Sequence, residues 1–182
     1  MQNRAFWFAG GETGEFRVLR STTLAGEPIA DVPRVAYGDA PAVPPELAPR
    51  WVFRGVTSNL RYTVRSEKDV LVAQSPALGK SRAALILLKK NDAWWNLAQD
   101  ERRHIFEEQS RHTTIGIRYL SGIARKLHHC RDLGTPEPFD FLTWFEFEPS
   151  DEPAFDELVA ALRASAEWRY IEREIDVRLA RG

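Results

Sequence analysis

His112 stands where the periodicity of its segment calls for an aliphatic side chain. Ile105, His112, Gly116, Tyr119 and Ile123 recur at spacings close to 3.6, so they share one face of a helix that is otherwise largely apolar. An imidazole there is either a hydrogen-bonded core histidine or a ligand to haem iron, and the second role needs an acceptor on the other ring nitrogen to fix the tautomer. Glu167, just ahead of the final strand, is a candidate acceptor. Arg125 follows His112 by 125 − 112 = 13 residues. On a continuous helix it would point about 140° away and lie about 20 Å further along the axis. Only a chain reversal after Gly122 sets the two on opposite faces of a flat cofactor; otherwise Arg125 is a solvated cation at a helix end. Lys90, Trp94 and Trp95 follow an apolar strand. An ammonium and indole N–H groups at a strand-to-helix turn can hold propionates, or the two tryptophans can simply cap the core.

Other clusters carry less. Glu101-Arg102-Arg103-His104 has the Glu-x-x-His spacing, but a di-iron bundle needs two such motifs on four long helices, and the chain offers one. His128-His129-Cys130 lies in an extended segment, where neighbours point to opposite faces and cannot converge on one zinc. Gly10, Gly11 and Gly14 precede no Gly-Lys-Ser/Thr and no long helix, so they read as a hairpin turn rather than a phosphate loop.

The elements that must position these residues are clearest in the second half. Ala83–Lys89 reads as a central strand, followed by a long helix capped by Asn96 with Gln99 at its third position. Ser121-Gly122 weakens that helix near its end, Arg125–Arg131 is extended, and Asp140–Glu148 is a strand with Phe141, Thr143, Phe145 and Phe147 on one face. Ser150 caps a helix whose buried stripe is Phe155, Leu158, Val159 and Leu162, and Trp168–Leu179 is the last strand. The order is β-α-β-β-α-β, an α+β, ferredoxin-like arrangement. The first half is a shortened partner. It has strands at Ala5–Phe8 and Glu15–Arg20, a Pro-rich irregular stretch from Glu27 to Arg50, an alternating segment Trp51–Arg65 and a short helix from Ser66 ended by Pro76 and Gly79. Two units are expected, residues 1–80 and a cofactor-binding half at 81–182.

Composition bounds the rest. The 182 residues carry 25 Lys+Arg against 26 Asp+Glu, so no basic excess points to nucleic acid. The longest apolar run, Ala83–Leu88, is far short of the roughly 20 residues that a membrane span needs. No secretory leader is expected from the opening residues, and the one cysteine, Cys130, forms no intrachain disulfide, which fits a cytoplasmic protein.

Larger blocks resemble a known family. Ala83-Ala84-Leu85-Ile86, Trp94-Trp95, Gln99–Arg103, Ile105-Phe106-Glu107, Tyr119-Leu120, Ile123-Ala124-Arg125, His129–Asp132 and Phe139–Glu146, with Trp168, Glu172–Glu174 and Asp176–Leu179, together closely resemble chlorite dismutases of the short, dimeric branch. The match is strong over residues 50–182 and loose before them. It implies a dimeric α+β barrel, a homodimer, haem b as cofactor, and conversion of chlorite to chloride and dioxygen by a ferryl–hypochlorite rebound.

By this resemblance His112 is the proximal iron ligand and Glu167 the carboxylate that takes its ring proton. Arg125 is the distal arginine. Thr143, Phe145 and Leu127 match the distal wall, and Gln74 matches the residue that hydrogen-bonds the arginine. Asn59, Tyr62, Lys90, Trp94 and Trp95 match the set on the propionate side. Two departures stand out: Arg111 occupies a place where relatives often carry a second histidine, and Thr135-Pro136 lengthens the turn before Phe139. A coproheme decarboxylase is the nearest rival enzyme, usually longer and without the distal arginine. A haem carrier or sensor using the same pocket is the non-enzymatic alternative.

Overall fold

A computed structural model describes residues 5–39, 42–57, 65–74, 77–119 and 122–182. Eight antiparallel strands close into a barrel in the order β1-β3-β2-β8-β5-β7-β6-β4. They are β1 (Ala5–Gly11), β2 (Phe16–Ala25), β3 (Arg34–Gly38), β4 (Trp51–Thr57), β5 (Arg82–Lys90), β6 (Ala124–His129), β7 (Phe141–Phe147) and β8 (Ile171–Arg181). The helices are α1 (Arg65–Gln74), α2 (Asp92–Trp95), α3 (Gln99–Arg103), α4 (His112–Arg118) and α5 (Glu152–Arg163). The fold is thus α+β around a closed antiparallel sheet.

The continuous apolar run of β5 follows from its place between β8 and β7, with both faces covered. Leu85 and Leu87 point into the barrel, where they meet Phe8, Phe16, Trp144 and Ile175. Ala84 and Ile86 point outward and are sealed by Phe145, Phe147 and the predicted α5 stripe of Phe155, Leu158, Val159 and Leu162. Each large apolar side chain buried this way contributes roughly 1.5–3 kcal/mol.

Four expectations are corrected. The long helix is not continuous. Asn91, not Asn96, caps α2 by accepting from the Trp94 N–H, and Asn96 ends that helix. After α3 the chain widens into a π-helical turn, His104–Gln109. Arg111 then adopts a left-handed conformation (φ 50°), so α4 starts in a new direction at His112. The glycine run is not a hairpin turn either. β1 pairs with β3 and β4, and β3 lies between β1 and β2. Gly14 passes so close to Val35 that a Cβ there would lie 2.6 Å from its backbone. β3 itself sits inside the stretch expected to be irregular, because Arg34–Gly38 escapes the prolines that flank it. The final strand begins at Ile171, after a 3-10 turn at Ala166–Tyr170 that carries Glu167.

The alternation of β6 separates its two histidines. His129 faces the outer cavity described below, whereas His128 is fully buried in the barrel against Phe6 and Phe8. His128 Nδ1 donates to the Leu142 carbonyl at 3.1 Å, and among the described residues Nε2 has no partner. Burial first, then the charge of Lys126, lowers its pKa to about 4. The unfolded chain therefore takes up this proton first as pH falls. Stability associated with His128 is complete above about pH 6.5 and declines towards pH 4, by about 3 kcal/mol in all. Chemical denaturation at pH 7 and pH 4.5 checks this: His128→Phe should lose less stability between the two than the wild type, and equal losses would refute it.

Candidate active site

A cavity of about 1240 Å³, counted with its open mouth, lies between the outer face of β5, β6 and β7 and the helices that cover it. His112, Gly116 and Tyr119 line it from α4 and its end, and Ile123 from the turn into β6. His112 and Arg125 lie on different elements, α4 and β6, and face the same cavity. The sequence-level face of His112, Gly116, Tyr119 and Ile123 thus survives although the helix itself is broken.

His112 sits at the first position of α4. Its Nδ1 lies 2.8 Å from Glu167 Oε2, and its ring stacks on Phe106 at 4.3 Å with 21° between the planes. Glu167 Oε1 receives a second bond, 2.6 Å from Lys90 Nζ. Both Lys90 and Glu167 are 4% exposed. Burial by itself would raise the Glu167 carboxyl, but His112 and Lys90 overcome it and hold its pKa down at about 2. An ionised carboxylate only accepts, so Nδ1 carries the proton, and in the neutral form of the ring the lone pair is on Nε2. This is the state a metal ligand requires.

Lys90 has its charge further occupied by the Trp94 ring, 3.2 Å from Nζ to the centroid, and burial lowers its pKa. Trp94 lines the cavity beside it. Trp95 turns elsewhere: its indole N–H donates to Asp140 Oδ2 at 3.3 Å, while Phe141 and Arg131 stack on its ring. Asp140 Oδ2 also accepts from the Lys90 backbone N–H at 2.8 Å, and Arg102 bonds the carbonyls of both tryptophans. The turn that presents Lys90 and Trp94 is therefore fixed from two sides.

The opposite wall is two cross-strand pairs. Arg125 faces Phe145 and Leu127 faces Thr143 across β6 and β7, all four lining the cavity. The guanidinium is surrounded by protein yet retains surface towards the cavity, and burial lowers its pKa. It stays a cation, since arginine does not deprotonate in proteins. Among the described residues no hydrogen bond or ion pair engages it. A Cβ built on Gly116, one helical turn beyond His112, would lie 3.3 Å from Arg125 Nη1. The missing side chain leaves the floor of the cavity level between the two. An imidazole backed by a carboxylate, an apolar slot and a cation that has no counter-ion among the described residues are a donor set that fits haem.

No family model matches the sequence. Among solved structures, a dimeric chlorite dismutase from Nitrobacter winogradskyi is 46% identical, with 97% of this chain and 99% of that one aligned at a TM-score of 0.87. The chain belongs to the chlorite dismutase family. A chlorite dismutase of Ideonella dechloratans is 35% identical over 88 residues, which is 48% of this chain and 28% of that protein. The chain thus matches under a third of the length of that curated relative. A mutant chlorite dismutase from Candidatus Nitrospira defluvii, 18% identical over 99% of this chain and 93% of that one, shares the fold at a TM-score of 0.68.

Within this family frame, the structure brings His112, Glu167, Lys90, Trp94, Arg125, Leu127, Thr143 and Phe145 around one cavity. Trp95 supports the turn instead of lining the cavity. Asn59 and Tyr62 lie outside the described residues, and Gln74 ends α1 with its side chain outside them as well. Sequence reasoning assigned no role to Phe106, His129 or Trp168, which also line the cavity. Phe106 was legible in principle, because an aromatic six residues before a broken helix start can fold back onto the ring. Trp168 donates to Glu174, which Arg163 also bonds, a contact between segments that no local spacing encodes.

Proposed function

We propose that the chain is a haem b-dependent chlorite dismutase that converts chlorite into chloride and dioxygen, atom for atom. The observation that carries this reading is the 46% identity over 97% of this chain, together with a His112–Glu167 pair facing Arg125 across one apolar cavity. His112 would hold the iron through Nε2, and Trp94 and the β5 wall would flank the macrocycle. Bound haem supplies a redox-active iron able to exchange oxygen atoms and electrons with a small oxyanion.

The chain's own groups do the remainder. Glu167 draws on the His112 ring proton and makes the imidazole a stronger donor. Arg125, half-buried and without a counter-ion among the described residues, attracts an anion into the cavity and holds it there, because a charge in such a site is weakly screened. Leu127 and Phe145 keep water away from that anion, and the Thr143 hydroxyl offers a polar contact within the same wall. An anion of hypochlorite type formed during turnover is held by the same guanidinium instead of diffusing away.

The strand order supports a division into two halves, 1–80 and 81–182. The order β8-β5-β7-β6 in the second half is matched by β4-β1-β3-β2 in the first, where no helix joins β1 to β2. The relative from Nitrobacter winogradskyi is described as dimeric. A homodimer is accordingly proposed, and light scattering should return twice the 20.8 kDa chain mass. The deciding assay is an oxygen-electrode trace on haem-loaded protein: one dioxygen per chlorite consumed is expected. Bound haem with no oxygen release would make the chain a haem carrier or sensor.

A further inference from the structure

We infer that Ser110 is a positioning residue for the proximal pair, holding the Glu167 backbone so that the carboxylate meets His112. The inference rests on the haem-ligand reading of His112 and deepens it.

Ser110 is 4% exposed and lies two residues before His112. Its Oγ accepts the backbone N–H of Glu167 at 2.9 Å. The carboxylate of the same Glu167 accepts from His112 Nδ1 at 2.8 Å. Two bonds, one to the main chain and one to the side chain of Glu167, thus tie the Ser110–His112 segment to the turn at Ala166–Tyr170 across 57 and 55 residues of sequence. With the backbone N–H of Glu167 anchored, fewer rotations remain to the carboxylate, and its two oxygens reach His112 and Lys90 together.

The local chain is shaped to put Ser110 there. The π-helical turn closes with the Ser110 N–H on the Ile105 carbonyl at 3.0 Å. One extra residue in a turn rotates everything after it by about 100° relative to an α-helix. Arg111 then leaves the helix in the left-handed region, and its own N–H bonds the Glu107 carbonyl at 3.0 Å. Glu107 also binds the Thr113 hydroxyl across the break. The widened turn and the left-handed residue together let Ser110 and His112 both face Glu167, which neighbours two apart on one α-helix, about 200° apart, would not do.

Removing the hydroxyl leaves a buried N–H without its acceptor, and a lost hydrogen bond of this kind is worth about a factor of 10 in a local equilibrium. Two readouts test the inference, one without haem. In the haem-free protein, the hydrogen-bonded Nδ1 proton of His112 is followed by NMR. Ser110→Ala should move it upfield and speed exchange of the Glu167 amide about tenfold, while barrel amides such as Leu85 keep the wild-type rate. Ser110→Thr, which restores the acceptor oxygen, should return the signal towards wild type.

In the haem-loaded protein, the iron–histidine stretching frequency should fall in Ser110→Ala, in the direction of Glu167→Gln but by less. A ring proton and a stretching frequency both equal to wild type would overturn the inference. A wild-type chain that takes up no haem would overturn the ligand reading instead, and the ring proton would still decide what Ser110 does.

Discussion

His112→Ala protein should emerge from haem reconstitution essentially without the cofactor. Removing a group that merely supports a metal ligand commonly costs 10–100-fold in metal affinity, so losing the ligand itself should cost more than about 100-fold. The ferric absorption spectrum of the wild type should be missing, and addition of imidazole should restore part of it by filling the space the ring vacates. The barrel should stay folded, because His112 contributes to the cavity wall and not to the buried clusters inside the barrel or beneath α5. A variant that binds haem with an unchanged spectrum would remove His112 from the iron.

Arg125→Ala has the second large effect, and its form distinguishes two roles. If the guanidinium only draws chlorite in, its loss raises KM and leaves kcat and enzyme lifetime near wild type. If it also retains the hypochlorite-type anion, the variant should die after fewer turnovers, with oxidised tryptophan or tyrosine around the cavity. Retention is expected, because no described carboxylate neutralises Arg125 and the opposing Phe145 keeps its surroundings dry. Loss of one preorganised electrostatic group of this kind costs on the order of 10²-fold in rate. The measurement is total dioxygen released per enzyme before activity ceases, with and without a hypochlorite scavenger. The scavenger should extend the variant's output more than the wild type's. Equal totals for the two proteins would leave Arg125 as an entrance charge only.

The sequence by itself determined the chemistry available and the strands that carry it. An imidazole on an apolar face was visible as a residue type out of keeping with its pattern, whereas Arg125, 13 residues on, and Glu167, before the last strand, were candidates that spacing alone left open. Period-two alternation placed Thr143 and Phe145 on one face, and period 3.6 found the stripe of α5, because those signals need only the local geometry of a strand or a helix. Strand alternation likewise separated His128 from His129.

Tertiary structure decided the remainder. Periodicity carried through from the Asn96 cap towards Ser121-Gly122 as one helix, yet the chain breaks between Arg103 and His112. A π-helical turn and a left-handed Arg111 cost local energy that long-range bonds help to offset, among them those of Ser110 and His112 to Glu167, which span 57 and 55 residues. The glycine run looked like a hairpin because a turn is encoded locally, while the insertion of β3 between β1 and β2 is a choice among distant pairings. Lys90 read as an ammonium at a turn able to hold a propionate, but in the structure it is buried beside Trp94 and bonded to Glu167. In each case the deciding energy comes from burying or pairing groups far apart in sequence, and no window of neighbouring residues contains both partners.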